Sequence, residues 1–258
     1  MPKVSIIVTH FNQVEYLDQT LLSIYQQVFT DWECILVDDG SEPQHAVRAE
    51  QTLERLADTR FTWLALPRNL GVVAARRAGV EKSRGQYLLF VDGDDALEPS
   101  YLTETTTVLD TRSDLAFVYT QLQYFGAKQE VFISKEYSVT DLLFENYISV
   151  TSLIRRSAYQ KVGGFRLALN RLGLEDWDLF LSMAEKRLCG VLISKPLVKY
   201  RQHTQEQNRN RPEKVRGADI YIRNHHPKLF GWRYKILIKW RTLVGIFHKW
   251  TDRRTFSI

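Results

Sequence analysis

The stretch from Tyr87 to Ala96 reads YLLFVDGDDA, and it decides how the first half of the chain folds. Its first five residues are apolar or aromatic and end abruptly at Asp92, Asp94 and Asp95, the pattern of a buried strand with an acidic tip. Crowded carboxylates repel each other unless a cation offsets them, and hard oxygen ligands suit Mg²⁺ or Mn²⁺. The tip therefore predicts a divalent-metal site that holds a diphosphate. A solvated acidic turn, with Asp95 capping the next helix, is the open alternative.

The composition indicates one large α/β domain, or one domain with an appendage. The chain has 258 residues, of which 44% are hydrophobic and 25% are charged, values typical of a globular protein. Cys34 and Cys189 form no metal-binding or disulfide spacing, which fits a reducing compartment. No signal-peptide pattern begins the chain, and no apolar run approaches the ~20 residues of a membrane span. We therefore expect a cytoplasmic protein, soluble or peripheral on the cytoplasmic face of a membrane.

The formal net charge of +5 is unevenly distributed. Residues 199–258 contain 15 Lys and Arg against 4 Asp and Glu, a net charge of +11, so the rest of the chain is acidic. Within this quarter, apolar residues of 229–250 recur at helical spacing, with basic residues largely elsewhere on the helix. Residues 229–258 are thus expected to meet an anionic membrane surface, or to pack on their own domain or a second subunit. Nucleic acid is not expected, because no nucleic-acid-binding motif is present.

Strand and helix patterns alternate four times within the first ~95 residues, which predicts an open, mainly parallel sheet flanked by helices. Ligands of such sheets bind beyond the carboxyl ends of the strands. We therefore expect one shared site at this edge, and we expect Ser41 or Asp39 to cap the second helix. The segment after the first strand, THFNQVE, contains no glycine, which excludes a dinucleotide fingerprint and a P-loop there. The polar residues at the predicted strand ends are Thr9, Asp38, Asp39, Asp92, Asp94 and Asp95.

A second group of carboxylates, Glu175, Asp176 and Asp178, opens an amphipathic helix around Trp177. Acids are favoured at a helix N-terminus by the helix dipole, so a purely structural role is one interpretation and a catalytic role is the other. Asp178 is expected to be a surface acid of the first turn.

The polar loop RQHTQEQNRNR, residues 201–211, follows the last predicted strand. It either closes over a bound ligand through Arg201 or His203 or is a solvated linker, and we favour the linker.

Five segments occur in the order and with the character found in family 2 glycosyltransferases of the GT-A fold. The chain resembles this family over roughly residues 3–205. The segments are VSIIVTHFN (4–12), LVDDGS (36–41), RNLGVVAARRAG (68–79), FVDGDD (90–95) and GLEDWDLFL (173–181). Several motifs in one order are far more specific than any single motif.

The resemblance implies a nucleotide-sugar site along the strand ends. Thr9 and Asp39 would lie against the base, Asp92 near the ribose, and Arg76 near the nucleotide. Asp94 would be the metal ligand of the Asp-x-Asp motif, binding Mn²⁺ or Mg²⁺. Arg77 stands where the family usually has Asn, which leaves its contact open. The expected nucleotide-sugar-binding residues are Thr9, Asp38, Asp39, Arg76, Asp92 and Asp94.

The same resemblance implies roles in the second half of the chain. Asp176 would be the catalytic base, and Glu175 and Trp177 would contact the acceptor, with Trp177 offering a flat face to a sugar ring. His203 is a second candidate metal ligand.

The function implied is that of an inverting, metal-dependent glycosyltransferase. It would use a nucleotide-diphosphate sugar, a UDP-sugar first, and a glycan or lipid-linked acceptor, in bacterial surface polysaccharide synthesis. We expect a GT-A domain over residues 1–205, with a nucleotide-sugar half (1–98) and an acceptor half (99–205), followed by a basic helical extension (206–258). Two alternatives are a catalytically silent GT-A scaffold, which would carry a damaged metal or base position, and a nucleotidyltransferase, whose glycine-rich loop THFNQVE lacks.

Overall fold

The computed structural model of the chain describes residues 1–203, 212–231 and 234. Across these ranges nine strands form one sheet. The strands are β1 (Val4–His10), β2 (Trp32–Asp38), β3 (Phe61–Ala65), β4 (Tyr87–Asp92), β5 (Ala96–Leu97), β6 (Leu115–Gly126), β7 (Glu130–Phe132), β8 (Leu153–Arg155) and β9 (Cys189–Gln202). The helices are α1 (Val14–Tyr25), α2 (Pro43–Leu56), α3 (Val72–Lys82), α4 (Tyr101–Thr111), α5 (Val139–Leu142), α6 (Arg156–Lys161), α7 (Glu175–Glu185) and α8 (Pro212–His225).

The predicted α/β fold is confirmed, and the two halves of the sheet differ. The strand order is β3-β2-β1-β4-β8-β6-β9-β5, with β7 beside β6. Strands β1 to β4 pair in parallel, as the alternation of strands and helices predicts. From β4 onward the sheet is mixed, because β8 runs antiparallel to both β4 and β6, while β6 and β9 are parallel. The prediction of a mainly parallel sheet therefore holds for strands β1 to β4, and the antiparallel pairs all involve later strands.

The central strands carry the core because they are covered by helices on both faces. Every residue of β1 is buried, which explains its almost continuous β-branched run. On one face α1 buries Leu17, Leu21 and Ile24, spaced three and four residues apart, against the sheet. On the other face α3 and α7 share a second core with β1 and β4. The site is built at the ends of these rigid central strands.

The extension begins as part of the domain. In α8, Ala218 and Ile222 are fully buried in the core that α7 also contributes to, and His226 just beyond the helix is fully buried as well. Leu229, the first residue of the predicted amphipathic tail, packs against the same core. Of that tail, residues 232–233 and 235–258 lie outside the described residues, as do residues 204–211. No helix in the described ranges is long and apolar enough to span a membrane.

Candidate active site

The carboxyl ends of β1, β2 and β4 meet at one edge of the sheet, as the sequence predicts. Thr9 pairs in register with Asp92 on β4, and His10 pairs with Asp38 on β2. The Thr9 hydroxyl donates to an Asp92 carboxylate oxygen at 3.3 Å. Three strand ends thus present polar side chains side by side, with their backbones fixed by the sheet.

Asp39 holds the loop that leads into α3. Its carboxylate accepts hydrogen bonds from the amides of Leu70 at 2.7 Å and Gly71 at 2.8 Å. Gly71 has φ +93°, a conformation that other residues avoid. Burial raises the pKa of Asp39, and the two amide donors oppose that shift. The prediction that Asp39 or Ser41 caps α2 is wrong, because the cap residue is Glu42 and no side chain caps that helix.

The acidic tip after β4 is folded tightly against β1. The Gly93 amide donates to the Thr9 carbonyl at 3.0 Å, and a Cβ at position 93 would lie 2.9 Å from that oxygen, so the close approach requires glycine. Asp95 is 2% exposed, and one of its carboxylate oxygens has no hydrogen-bond partner among the described residues. Burial, followed by the charge of Asp92, raises the pKa of Asp94, while burial and then the charges of Asp94 and Asp92 raise the pKa of Asp95. The tip is therefore a site where added positive charge is favourable.

The end of β9 and the residue after it lie against this tip, so the expectation of a solvated linker is wrong for residues 201–203. Nε2 of His203 lies 2.7 Å from Oδ2 of Asp94. The backbone amide of Arg201 donates to the Asp95 carboxylate at 2.8 Å. The guanidinium carbon of Arg201 lies 4.2 Å from the centre of the Tyr16 ring. The side chains of Arg201 and His203 thus cover the acidic turn.

The Asp94 carboxylate suits Mn²⁺ or Mg²⁺, whose shell would be completed by water and phosphate oxygens, and the imidazole in contact with it offers a nitrogen as a second ligand. Within residues 1–203, 212–231 and 234, no set of three or more His, Cys, Asp or Glu side chains is arranged to hold a metal ion. The residues present therefore fit a metal that shares its coordination with a ligand, and the metal site stays a prediction.

Arg76 connects the strand ends to the first turn of α7. One terminal nitrogen of its guanidinium donates to Asp92 at 2.7 Å and the other to Glu175 at 2.6 Å. The Arg76 side chain is 3% exposed. Burial opposes its charge, but the two carboxylates outweigh that effect and raise the pKa of Arg76. The acidic tip after β4 and the acids at the start of α7 are about eighty positions apart in the sequence. The buried guanidinium of Arg76 joins them through these two hydrogen bonds.

One carboxylate oxygen of Asp176 accepts hydrogen bonds from the protein, and the other is available to accept one from a ligand. Its Oδ1 accepts from Nδ2 of Asn146 at 3.0 Å and from the Trp177 amide at 2.8 Å. Its Oδ2 accepts no hydrogen bond from the described residues. Burial, with a further contribution from the charge of Glu175, raises the pKa of Asp176 to about 6. A carboxylate with this pKa and a free oxygen can take a proton near neutral pH.

Asp176 and the acidic tip both act electrostatically on the hydroxyl of Tyr200 on β9. Burial raises the pKa of Tyr200, and the charges of Asp95, Asp92, Asp94 and Asp176 raise it further. Together with the hydrogen bonds of Arg76 to Asp92 and Glu175, this groups the strand-end acids and the first turn of α7 around one site, here called the cleft.

The two expected acceptor residues are placed differently from the sequence prediction. Trp177 is 4% exposed, and its indole nitrogen donates to the Leu142 carbonyl at 2.7 Å, so the ring is a packed wall rather than an open face. Glu175 is buried and bound to Arg76. It holds the arginine in place instead of reaching outward.

Asp178 is not a surface acid, and that prediction is wrong. It is fully buried, and its carboxylate lies 2.8 Å from Nε of Arg166 and 2.9 Å from Nε2 of the equally buried His226. A carboxylate is stable in such a position only when it is paired.

Three side chains that contact the acids of the first turn of α7 were not identified from the sequence: Asn146, Arg166 and His226. They lie 30, 12 and 48 positions from their partners, and none stands in a recognisable motif.

A family described as Glycosyl transferase family 2 matches residues 5–166 of this chain. The O-antigen biosynthesis protein RfbC of Myxococcus xanthus is 28% identical over 206 residues, a match that covers 78% of this chain but only 16% of RfbC.

Two solved structures share the fold. S. aureus TarS in complex with UDP-GlcNAc superposes with a TM-score of 0.73 at 17% identity, covering 88% of this chain and 70% of that one. Mannosyltransferase PcManGT from Pyrobaculum calidifontis, in complex with GDP-Man and Mn²⁺, superposes with a TM-score of 0.64 at 13% identity, covering 97% of this chain and 83% of that one. At these identities the two structures bear on the fold alone, and they confirm the predicted GT-A architecture.

Proposed function

The chain belongs to glycosyl transferase family 2, and from this membership we propose that it transfers a sugar from a nucleotide-diphosphate donor to a hydroxyl of a glycan or lipid-linked acceptor. The observation that carries the proposal is the buried Arg76, which ties Asp92 at the strand ends to Glu175 beside Asp176. A transferase needs its donor site and its base held in one fixed relation, since misplacement of reacting groups is costly. Arg76 supplies that relation here.

The donor would lie along the strand ends. We assign Thr9, Asp38 and Asp39 to the nucleotide, with Asp92 toward the ribose and Arg76 behind it. UDP is the first candidate because TarS was solved with UDP-GlcNAc, and GDP is the second because PcManGT was solved with GDP-Man.

Asp94 and His203 are the residues that would hold Mn²⁺ or Mg²⁺. A bound divalent cation supplies positive charge that stabilises the departing diphosphate. The protein's own part is to present the Asp94 carboxylate in a buried acidic turn and to bring the His203 imidazole over it.

We assign the role of general base to Asp176. Asn146 and the Trp177 amide fix Oδ1, which leaves Oδ2 to accept the proton of the acceptor hydroxyl. The acceptor oxygen forms a bond to the anomeric carbon while the bond from that carbon to the diphosphate oxygen breaks. The nucleotide diphosphate leaves and Asp176 carries the proton. A single displacement of this kind inverts the anomeric centre, and an α-linked product from an α-linked donor would contradict it.

The setting we propose is surface polysaccharide synthesis on the cytoplasmic face of a membrane. RfbC is named for O-antigen biosynthesis. The domain of residues 1–205 would carry the chemistry, and residues 206–258, the basic extension, would bring it to an anionic lipid surface. Flotation with anionic vesicles tests whether the extension binds an anionic lipid surface. Reversing Lys235, Lys239 and Arg241 to Glu in the full chain should abolish flotation, and unchanged flotation would remove the extension from this role.

Calorimetric titration with UDP, GDP and dTDP, with and without Mn²⁺, tests the proposed function. We expect one nucleotide to bind the wild-type protein in a metal-dependent way, and we expect Asp94→Asn to lose that dependence. Arg112→Gln is the matched control, because Arg112 is an exposed residue paired with Asp114 away from the cleft. No binding of any nucleotide would favour a catalytically silent scaffold instead.

A further inference from the structure

A cavity of about 570 Å³ lies beside the proposed base, between the first turn of α7 and the extension helix α8. Asn146, Leu174 and Trp177 line its inner side, and Arg216, Asp219 and Arg223 line its outer side. The inner residues fall within residues 1–205, the expected GT-A domain, while the outer three lie on α8 of the extension. Residues of the extension therefore line one side of a cavity next to the candidate active site.

The inner side of the cavity is linked to the proposed base through Asn146. Asn146 donates through Nδ2 to Oδ1 of Asp176 at 3.0 Å. Oδ1 of Asn146 is itself buried and has no hydrogen-bond partner within residues 1–203, 212–231 and 234. An unpaired buried carbonyl is unfavourable, so a hydroxyl donor from a bound ligand would stabilise this position. A ligand that occupies the cavity thus meets Asn146, which is one hydrogen bond away from the carboxylate of Asp176.

The outer side carries one uncompensated positive charge. Arg223 is occupied, because its Nε donates to both carboxylate oxygens of Asp219 at 2.9 Å and its guanidinium lies 5.6 Å from the centre of the Trp177 ring. Arg216 is exposed, and within residues 1–203, 215–231 and 234 no carboxylate forms an ion pair with it, so the positive charge counted here is that of the described side chains. It stands seven positions before Arg223, about two helical turns, so both face the cavity. The side chain of Arg216 is therefore available to an anion.

We propose that this cavity is an acceptor subsite for a ligand that carries a phosphate or carboxylate near its reacting hydroxyl, and that Arg216 binds the anionic group. The subsite rests on the proposed function, because only a transferase needs an acceptor beside Asp176. Arginine suits this role because its planar guanidinium can donate two parallel hydrogen bonds to a phosphate or a carboxylate. The apolar surfaces of Leu174 and Trp177 would carry the uncharged part of the acceptor.

The indole N–H of Trp177 provides a local probe, since its ring lines the cavity. The full chain is first titrated with UDP and Mg²⁺ in two-dimensional ¹⁵N NMR, with the Trp177 signal assigned by comparison with Trp177→Phe. Inorganic phosphate, glucuronate and glucose are then added separately to the UDP-saturated protein, so that the donor site is filled. We expect the Trp177 signal to shift with phosphate or glucuronate and not with glucose. The phosphate and glucuronate arms separate a phosphate-bearing from a carboxylate-bearing acceptor.

Substitutions assign the effect to one side chain. Arg216→Gln should weaken binding of the effective anion roughly tenfold, the scale of one lost charge-assisted hydrogen bond. Arg216→Lys, which keeps the charge but not the paired donors, should lose less than Arg216→Gln. Lys228→Gln, an exposed control on the same segment outside the cavity, should leave binding unchanged. Normal UDP binding with no anion response at Trp177, or an equal loss in Arg216→Gln and Lys228→Gln, would overturn the subsite alone. Failure of UDP, GDP and dTDP all to bind in the calorimetric titration would instead overturn the proposed function.

Discussion

Two groups of carboxylates border the cleft, and they are held in place in different ways. In the acids after β2 and β4, here called the strand-end cluster (Asp38, Asp39, Asp92, Asp94, Asp95), three carboxylates are bound by backbone amides. These amides belong to Ser41, Leu70, Gly71 and Arg201. The acids of the first turn of α7, here called the helix-start cluster (Glu175, Asp176, Asp178), are bound mainly by side chains. Their partners are Arg76, Asn146, Arg166 and His226.

This difference separates what a substitution can change. A backbone amide cannot be removed by mutation, so Asp38, Asp39 and Asp95 keep their positions as long as the sheet folds. Asp92 and Asp94 depend in addition on the side chains of Arg76 and His203. The helix-start cluster depends on single side chains that come from distant parts of the chain. Substitutions should therefore affect binding of the donor and turnover separately, and the four predictions below test that separation.

The largest expected effect concerns turnover. Asp176→Asn removes the proposed base while keeping its size, so we expect turnover to fall about 10²- to 10⁴-fold, the usual contribution of a positioned base. Nucleotide affinity, measured by calorimetry, should stay close to that of the wild-type protein, because Asp176 acts on the acceptor. Near-normal turnover of this variant would mean that another residue is the base. A parallel loss of nucleotide affinity would mean that the two clusters are not separable.

The second effect concerns stability. His226→Ala removes a fully buried partner of Asp178 and should lower the free energy of unfolding by about 2–4 kcal/mol, since Asp178 keeps only Arg166. His225→Ala is the matched control, because His225 is the adjacent residue but exposed. Urea denaturation of both variants measures the difference. Equal midpoints for the two would show that the buried contact contributes nothing to the fold.

The third effect is a shift of the pH profile. Burial raises the pKa of Asp176 to about 6, and a base acts only when deprotonated, so kcat/KM should fall as the pH drops through that value. Asn146→Ala removes a donor that favours the carboxylate, so the pKa of Asp176 should rise and the acidic limb should move to higher pH. A variant that loses rate equally at every pH would show that Asn146 supports only the structure around the base.

The sequence predicted the strand-end cluster because that cluster is local. Each of its acids directly follows an apolar run, and parallel strands bring their carboxyl ends to one edge. The buried partners of the helix-start cluster were not predictable in the same way. Asp178 looks like an ordinary first-turn acid, and only tertiary packing reveals that His226, 48 positions later, lies against it. The position of Trp177 had the same cause, since its burial depends on Leu142 and the extension rather than on its own helix.

The smallest expected effect tests two neighbours on α3. Arg76 joins the clusters, whereas Arg77 turns away and donates to the Phe165 carbonyl at 3.0 Å. Arg77→Asn, which restores the residue usual in the family, should cost about 1 kcal/mol of stability, the worth of one hydrogen bond. It should leave nucleotide affinity unchanged, while Arg76→Ala should weaken it, because Asp92 would lose its buried cation. Calorimetry on both variants measures this contrast. If Arg77→Asn weakened nucleotide binding as much as Arg76→Ala, the link between the clusters would be a property of the whole helix rather than of one side chain.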